Sequence, residues 1–513
     1  MVLDIFAAAI VFLPLAFTSL LFLLFLLNIF KSKWSIVPYP PVAATIVGHI
    51  INFKKQYDYL TDFHYRYRTF RIAYPNHSYV FTTDPANVEY ILKTNFTNYG
   101  KQNITHDCME DLLGDGIFTV DGEKWKQQRK LASFEFSAKV LKDFSSVVFR
   151  KSAVELSAIL LEACRTNQTV EMQDLFLRST MNTICKVGFG VEMNSLSNSN
   201  TGPEAAFARA FDTANGIVLW RFLDITWKLK KYFNIGSEAI LRQSIKTVDD
   251  FIYNIIRNRK QELSAQNGNE KPDILSRFIR SSEQEPEKLS DKYLRDIILN
   301  FMIAGRDTTA VTLSWFFYLL CKNPGVEEKL LQEIHDVVTE NESGSLAESI
   351  SMFAQGLTHR VLDKMHYLHA CLSETLRLYP AVPVDSRHVG SDDTLPDGFR
   401  MKKGDLVNYN PYSMGRMEYL WGVDAKEFRP ERWLENGVYQ PQSPFKFTAF
   451  QAGPRICLGK EFAYMQMKTV ATVLLRFFKF EAVKGKEVAY EPALTLHMNE
   501  DGFNVHVMCR SNW

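Results

Sequence analysis

The sequence predicts a mainly α-helical fold with small β-sheets, and three observations lead to this class. Residues 131–290 carry apolar side chains at helical spacing, interrupted by short breaks rich in glycine, asparagine and proline. Residues 294–320 form a long apolar run with few polar side chains, which is typical of a buried helix. The β-rich stretches are short: residues 70–74 and 78–82 flank a Pro-Asn pair and indicate a hairpin.

Composition limits the classes of protein that this chain can belong to. Its 513 residues would correspond to about three average domains, or to one large fold around a cofactor. The net charge of +1 gives no global field that would attract nucleic acid, so we expect no nucleic-acid partner. The seven cysteines are scattered, odd in number and without Cys-x-x-Cys spacing, which argues against a disulfide framework or a zinc site and for a reducing compartment.

The N-terminus carries a candidate membrane anchor. Residues 5–30 are almost wholly apolar, and roughly 26 residues suffice to cross a bilayer. A cleaved signal peptide is the alternative, but its apolar region would be shorter and its start basic. Here Asp4 precedes the apolar run, whereas Lys31 and Lys33 follow it. The positive-inside rule then places the N-terminus in the lumen and the rest of the chain in the cytosol.

A short connector follows the anchor. Residues 31–50 are basic at their start and proline-rich at 38–41, and prolines stiffen a connector because they cannot continue a helix. We therefore divide the chain into a transmembrane anchor (1–30), a hinge (31–50) and one large domain (51–513).

The most informative stretch is the loop at residues 450–459. A cysteine thiolate is a strong ligand for haem iron, and Cys457 lies directly before a predicted helix whose N-terminal dipole would stabilise its charge. Gly453 and Gly459 leave room for the backbone to approach a flat ligand. Arg455 can pair with a haem propionate, and Phe450 can shield the sulfur from water. The alternative is one more buried structural cysteine.

Polar residues inside the long apolar helix form a second candidate site. Charges and hydroxyls are costly there unless they serve a function, and residues 304–309 read Ala-Gly-Arg-Asp-Thr-Thr. Gly305 would leave space for O₂ or a flat ligand. Thr308 can bond back to a carbonyl and bend the helix, and Asp307 together with Thr308 can relay protons. The alternative is a structural role, in which these residues interrupt the apolar helix where it packs against another element.

Two further patterns precede the cysteine loop. Trp125 and Arg129 share one face of a helix, where a solvated basic face is the alternative explanation. Glu374 and Arg377 have the spacing of an intrahelical ion pair, and Arg432 could complete a Glu–Arg–Arg network whose role would be structural. A Glu-x-x-Arg pair alone is common as a surface ion pair.

Together these motifs resemble those of the cytochrome P-450 superfamily. Residues 450–459 match its haem-binding signature, Phe-x-x-Gly-x-Arg-x-Cys-x-Gly, at every fixed position, and residues 304–309 match its oxygen-activation motif. Glu-x-x-Arg at 374–377 and Pro-Glu-Arg at 430–432 come in the family's order. The resemblance covers residues 38–510 and implies the P-450 fold, with 51–513 as its catalytic domain.

The resemblance also implies a cofactor and the residues that hold it. Haem b would be bound with Cys457 as the axial ligand of the iron, and its propionates would be met by Trp125, Arg129, Arg387 and Arg455. Asp307 and Thr308 would be the catalytic pair.

A membrane-bound haem-thiolate monooxygenase of the endoplasmic reticulum is the implied activity. The sequence contains no Gly-rich flavin or nicotinamide fingerprint, so electrons from NADPH would come through a separate cytochrome P-450 reductase. The alternatives are a hydroperoxide isomerase or dehydratase and a haem sensor without turnover. An intact motif at 304–309 argues against both.

The substrate class rests on a looser resemblance. Residues 443–450 and 459–464, among others, look most like the plant long-chain fatty-acid ω-hydroxylase clan, so we expect a fatty acid hydroxylated at or near its far end. A sterol, terpenoid or phenolic is the alternative. The carboxylate would lie near a basic residue such as Arg209 or Arg221. The expected pocket consists of Ile117, Phe118, Phe301, Ala304, Val382, Val384 and Leu496.

The segment at residues 205–245 is rich in aromatic and basic side chains. In a P-450 it would be a lid over the substrate channel that dips into the membrane, and an ordinary packed helix pair is the alternative.

Overall fold

The computed structural model describes residues 19, 48, 51–73, 78–101, 104–137, 139–196, 202–224, 226–265, 273–284, 290–338, 344–485 and 488–510. The expected anchor (1–30) and the expected hinge (31–50) lie outside these ranges except at single positions. Among the helices in this described part, none combines the length and the apolar character needed to cross a membrane.

The described part is mainly helical, as predicted. Its α-helices in chain order are α1 (Gln56–His64), α2 (Pro85–Glu89), α3 (Ile104–Leu113), α4 (Gly122–Ser137), α5 (Lys139–Thr166), α6 (Met172–Phe189), α7 (Pro203–Trp220), α8 (Trp227–Phe233), α9 (Ser237–Ala265), α10 (Ile274–Gln284), α11 (Asp291–Lys322), α12 (Pro324–Val337), α13 (Leu346–Gly356), α14 (His359–Asp363), α15 (His366–Leu378), α16 (Pro411–Met414), α17 (Glu418–Trp421) and α18 (Lys460–Phe477).

The strands are short and form small sheets. They are β1 (Thr69–Ala73), β2 (Ser78–Thr82), β3 (Tyr99–Gly100), β4 (Thr169–Glu171), β5 (Asp385–Val389), β6 (Asp393–Thr394), β7 (Arg400–Met401), β8 (Leu406–Tyr409), β9 (Leu434–Glu435), β10 (Val438–Tyr439), β11 (Phe478–Ala482), β12 (Tyr490–Glu491), β13 (His497–Met498) and β14 (Asn504–Cys509). One sheet has five strands in the order β1-β2-β8-β5-β3, another has three in the order β11-β14-β4, and the pairs β9-β10, β12-β13 and β6-β7 complete the set.

Local sequence signals account for several elements. Strands β1 and β2 pair antiparallel with Phe70 opposite Phe81, which confirms the predicted hairpin. Helix α2 begins after Asp84, whose carboxylate accepts the N–H of Ala86 at 2.8 Å, and Pro85 occupies its first position. The long apolar helix is also confirmed, as α11.

Helix α11 forms the centre of the helical domain. Most of its side chains are buried on every face, since it contacts α6, α9, α15 and α18 along its length. Helices α6 and α18 belong with it to the apolar core, which includes Phe176, Trp315 and Leu474. The cysteine loop enters α18, so this packing fixes the loop against the centre of the fold.

Two further stretches can be compared with their sequence patterns. The glycine-rich residues 99–121 predict an irregular segment, but α3 forms within them, because Thr105, Cys108 and Leu112 lie at helical spacing and are buried. Residues 379–387 predict a strand limited by its prolines, and strand pairing starts only at Asp385. Pro380 and Pro383 lack the N–H group that a sheet ladder requires.

A fully buried ion network holds the end of α15 to the segment before the cysteine loop. The Glu374 carboxylate accepts two hydrogen bonds from Arg377 at 2.7 Å and one from Arg432 at 2.8 Å. It also accepts the indole N–H of Trp433 at 2.8 Å and the backbone N–H of Arg429 at 2.9 Å. The predicted Glu–Arg–Arg grouping therefore forms, and its charges are satisfied by short bonds.

Removing Glu374 should destabilise the fold strongly. Glu374→Ala leaves two guanidinium groups without their carboxylate in the interior, which costs about 3–5 kcal/mol. The free energy of unfolding, measured with urea, should fall by that amount. The matched control is Glu123→Ala, which removes an exposed pair with Lys126 at the same i,i+3 spacing and should cost less than about 1 kcal/mol. Equal losses in both variants would contradict the assignment.

Candidate functional site

The cysteine loop is fixed by its own backbone. The Cys457 N–H donates to the Phe450 carbonyl at 2.8 Å, and the Ile456 N–H donates to the Gly453 carbonyl at 3.1 Å. Gly453 has φ +63°, and a Cβ there would lie 2.0 Å from the carbonyl oxygen of Leu92. A side chain cannot be accommodated at this position. At Gly459 a Cβ would meet only the Cys457 sulfur, at 3.9 Å, so protein atoms do not require that glycine.

The Cys457 side chain is accessible, although protein surrounds its loop. Burial raises the pKa of the thiol, whereas the N–H of Gly459 and the charges of Arg129 and Lys460 act in the opposite direction. The N-terminus of α18 begins at Lys460 and adds its positive dipole. Because burial outweighs these contributions, the thiolate needs a further cation, such as a metal ion, to be the stable form.

Cationic side chains surround the loop, as predicted. Arg455 donates to the carbonyl of Val120 at 2.8 Å and to the Asp121 carboxylate at 2.5 Å, and its guanidinium carbon lies 4.5 Å from the centre of the Trp125 ring. Arg129 donates to the carbonyl of Ile456 at 2.6 Å. Burial and the neighbouring Arg387 lower the pKa of Arg455 to about 10.

Residues that we did not predict complete this cluster. Asp385 binds Lys101, Arg387 at 2.7 Å and the hydroxyl of Tyr409 at 2.5 Å. Burial and Arg387 lower the pKa of Lys101 to about 8. Lys101 and Asp385 are far apart in the chain and belong to no motif, so only the fold brings them together. In the sequence, only the position of Asp385, two residues before the predicted Arg387, could have indicated that it belongs to this cluster.

This cluster fits a haem. Four cations (Lys101, Arg129, Arg387 and Arg455) are set against two carboxylates (Asp121 and Asp385), so the excess is two positive charges. A haem carries two propionates, which would neutralise that excess. The Nε atoms of Arg387 and Arg455 are buried without a hydrogen-bond partner among the described residues, so each has donor capacity left for an anion.

The middle of α11 presents small and hydroxyl side chains on one partly accessible side. Thr308 donates its hydroxyl hydrogen to the carbonyl of Ala304 at 2.6 Å, as predicted, and Thr312 does the same to Thr308 at 2.7 Å. Ala304 and Thr308 are both half-buried, in contrast to most of this helix. Thr308 therefore lies at a partly accessible turn of the helix.

Asp307 points elsewhere. Its carboxylate is fully buried and accepts hydrogen bonds from Asn215 at 3.0 Å and from Arg306 at 2.9 Å, and His497 lies 3.6 Å away. Burial raises its pKa, but Arg306 and His497 more than offset this, so the pKa of Asp307 is lowered and the group is ionised. Arg306 is in turn bonded to Asp212 of α7 at 2.5 Å. Asp307 therefore faces α7, whereas Thr308 lies on the accessible side of α11.

Gly305 has a packing role rather than the expected role of leaving space for O₂. A Cβ at Gly305 would lie 2.7 Å from Cδ1 and 3.0 Å from Cγ1 of Ile184 on α6. The glycine thus allows α6 and α11 to approach closely.

An apolar cavity of about 150 Å³ lies between α1, the end of α7 and the segment 383–386. Its wall is mostly aromatic and aliphatic, with Lys101 and Asp385 at one side. Its apolar lining is Phe53, Tyr57, Leu60, Tyr79, Phe81, Met109, Leu219, Phe222, Leu223, Pro383, Val384, Ala493 and Leu494.

Only part of the expected pocket lines this cavity. Val384 does, and Ile117, Ala304 and Val382 are half-buried. Phe118 is 41% exposed. Phe301 and Leu496 do not line this cavity: the Phe301 ring packs against Phe136 and Phe278, and Leu496 is completely buried.

The two arginines considered for a substrate carboxylate do not fit that role. Arg221 is buried and already bonded to Glu238, at 2.9 and 2.6 Å, and to Asp111 at 2.7 Å. Arg209 is exposed and is not part of the cavity wall.

Comparison with known proteins agrees with this geometry. The family model for cytochrome P450 matches residues 38–506. Cytochrome P450 704C1 of Pinus taeda is 62% identical over 92% of this chain and 93% of its own length. Cytochrome P450 704B1 of Arabidopsis thaliana is 50% identical over 92% and 94%, and cytochrome P450 86B1 of the same plant is 44% identical over 84% and 77%. A mainly helical chain with small sheets, a cysteine loop ringed by cations and a family match of this extent lead to one conclusion: this protein is a member of the cytochrome P450 family of haem-dependent monooxygenases.

Proposed function

We propose that this cytochrome P450 binds haem b through Cys457 and hydroxylates a long-chain fatty acid at or near the end remote from its carboxylate. The observation that carries the substrate class is the apolar cavity, whose wall is mostly aliphatic and aromatic; its polar members are Gln56, Lys101, Thr105, Asp385, Ser386 and Asn408. The resemblance of residues 443–450 and 459–464 to plant fatty-acid ω-hydroxylases supports it. Electrons come from NADPH through a separate cytochrome P450 reductase, and O₂ is the co-substrate.

The surrounding side chains divide the work. Arg129, Arg387, Arg455 and Lys101 would hold the propionates, Trp125 packs against Arg455, and Phe450, whose carbonyl accepts the Cys457 N–H, would shield the sulfur from water. Haem supplies the activation of O₂ and the oxidation of a carbon–hydrogen bond.

Thr308 is the group that places a proton at the reacting oxygen. Its hydroxyl is on the accessible side of α11, whereas Asp307 is buried behind it. Asp307 relays protons and does not contact the reacting oxygen. Its ionised carboxylate, which lies between Asn215 and Arg306, can accept a proton from the side on which His497 lies and pass it toward the accessible side of α11.

Thr308→Ala should separate oxygen use from product formation. The variant keeps the Cys457 loop and the cavity, so haem and substrate should still bind, but without the hydroxyl a larger share of the NADPH should end as hydrogen peroxide. The ratio of product to NADPH consumed is the measurement. Thr309→Ala is the matched control, since the neighbouring threonine is buried on another side of the helix. Full coupling in Thr308→Ala would contradict this role.

As a check on the haem ligand, Cys457→Ser should lose the haem-thiolate absorption of the reduced, CO-bound protein.

The substrate class is tested with saturated acids of increasing length. Each buried CH₂ contributes about 0.8 kcal/mol, so binding should tighten with chain length until the cavity is filled, and products should carry the hydroxyl at or near the last carbon. Leu219→Phe places a larger side chain in the cavity wall and so reduces the space in the cavity, which should shift the preference toward shorter acids. Met352→Phe, at an exposed position on α13, should leave the preference unchanged.

Other outcomes identify the alternatives. Oxidation of a sterol, terpenoid or phenolic but of no fatty acid would replace the substrate class and leave the monooxygenase. Conversion of a hydroperoxide without NADPH would identify an isomerase or dehydratase, and haem binding without any NADPH-dependent product would identify a sensor.

Attachment to the endoplasmic reticulum membrane is proposed through residues 1–30 and the region around α8. There Leu229, Tyr232, Phe233 and Ile235 are all exposed, and Lys228, Lys230 and Lys231 lie among them. An exposed apolar patch of this kind suits the surface of a bilayer. Each of the three lysines is paired with an aspartate at 2.7 Å, so the apolar side chains provide most of the proposed contact.

Deletion of residues 1–30 should leave a folded haem protein that binds vesicles weakly. Adding Phe233→Ser to the deletion should reduce the remaining binding further, whereas Val423→Ser, at a 92% exposed position elsewhere, should not. Co-sedimentation with vesicles that contain anionic lipid is the measurement. Equal binding by both variants would contradict the contact through α8.

A further inference from the structure

A short aromatic column begins beside the cysteine loop. The backbone carbonyl of Phe450 accepts the Cys457 N–H, and the centre of the Phe450 ring lies 5.2 Å from the centre of the Tyr464 ring on α18. His369 of α15 lies 4.0 Å from Tyr464, and Tyr439 of β10 lies 4.1 Å from His369. The imidazole is therefore in van der Waals contact with two phenol rings, one on each of its neighbouring elements.

The same two tyrosines are joined a second time through their hydroxyls. Ser373 Oγ lies 2.8 Å from the Tyr464 hydroxyl and 3.1 Å from the Tyr439 hydroxyl. His369 and Ser373 are one turn apart on α15 and so share a face of that helix. One helix face thus supplies both a ring contact and a hydroxyl bridge between Tyr439 and Tyr464.

The surroundings keep this unit uncharged. Burial, together with Lys468 and Lys460, lowers the pKa of His369 to about 3, so the imidazole is neutral. Burial also raises the pKa of Tyr464. Ser373 and Tyr464 are buried, whereas Tyr439 is half-exposed on a two-stranded hairpin. The unit therefore has an inner end near the cysteine loop and an outer end in contact with solvent.

We propose that Tyr464, His369, Ser373 and Tyr439 form a route that carries an oxidising equivalent from the haem side to the surface when no substrate is oxidised. Electrons cross through the His369 ring and protons cross through the Ser373 hydroxyl. The route is a protective function, separate from hydroxylation.

The steps balance in electrons and protons. First, Tyr464 gives one electron to the haem side. Its hydroxyl proton moves to Ser373, the Ser373 hydroxyl proton moves to Tyr439, and Tyr439 releases its own proton to water. Next, Tyr439 gives one electron through His369 to Tyr464. At the same time the Tyr439 proton moves to Ser373 and the Ser373 proton moves to Tyr464. This restores Tyr464 and leaves the radical on Tyr439. Finally, a thiol in solution gives one electron and one proton to Tyr439 and becomes a thiyl radical. Two such turnovers yield two thiyl radicals, which combine to form one disulfide.

The test uses the full-length, haem-loaded protein without substrate. It is mixed with a peracid, frozen after defined times and examined by electron paramagnetic resonance, with ring-deuterated tyrosine incorporated to identify tyrosyl radicals. The wild-type protein should form a tyrosyl radical that glutathione removes quickly. In Tyr439→Phe the radical should persist in the presence of glutathione, because it stays on the buried Tyr464. In Tyr464→Phe the radical should be lost and the haem should bleach after fewer equivalents of peracid.

Two further variants keep the test decisive if Tyr464→Phe does not fold. Tyr293→Phe, a tyrosine outside the column, is the matched control and should behave as wild type. Ser373→Ala should remove the slowing by D₂O of radical decay with glutathione, since the proton bridge is gone. The proposal is overturned if the wild-type protein forms no tyrosyl radical, or if Tyr439→Phe and Tyr464→Phe cannot be distinguished from Tyr293→Phe. No arm of the test depends on the substrate class.

Discussion

The concentration of positive charge around the cysteine loop is the constraint on which the rest of the site depends. Lys101, Arg387 and Arg455 are all buried or nearly so, and a buried charge is tolerated only when it is paired. Asp121 and Asp385 pair with part of this charge. The remainder is tolerable if an anionic ligand completes the set, and the propionates of a haem have the required charge. The protein therefore prepares a cofactor site by holding cations that its own carboxylates do not fully neutralise.

The Asp307 network shows a second consequence of buried charge. Arg306 and Asp307 are neighbours on α11 and pair with each other at 2.9 Å; Asp212 of α7 also binds Arg306, and His497 lies 3.6 Å from Asp307. A helix that could cover the cavity is thus tied to the helix that carries Thr308. Displacing α7 would remove Asn215 and Asp212 together, which would leave Arg306 and Asp307 only each other as partners, and this loss opposes the displacement. The contacts of Arg306 and Asp307 with α7 therefore hold that helix in place.

How much could be predicted from the sequence depended on distance along the chain. The cysteine loop, the hairpin β1–β2 and the face shared by Trp125 and Arg129 depend on residues close in sequence, so periodicity and spacing were sufficient. Lys101 and Asp385 could not be predicted, because their meeting depends on how distant segments pack. Likewise, a residue list cannot show which way a ring points. Phe301 turns toward Phe136 and Phe278 rather than toward the cavity, and Gly305 meets Ile184.

Helix α15 links the ion network to the aromatic column, because it carries side chains of both. Glu374 and Arg377 point into the ion network that fixes the segment before the cysteine loop, while His369 and Ser373 point toward Tyr439 and Tyr464. The network does not merely stabilise the helix; it fixes its rotation. A rotation that broke the Glu374 bonds would also separate His369 and Ser373 from the two tyrosines, since both pairs belong to one rigid helix. The distances of about 4 Å between the rings of the column are therefore maintained by an ion network that the same helix forms.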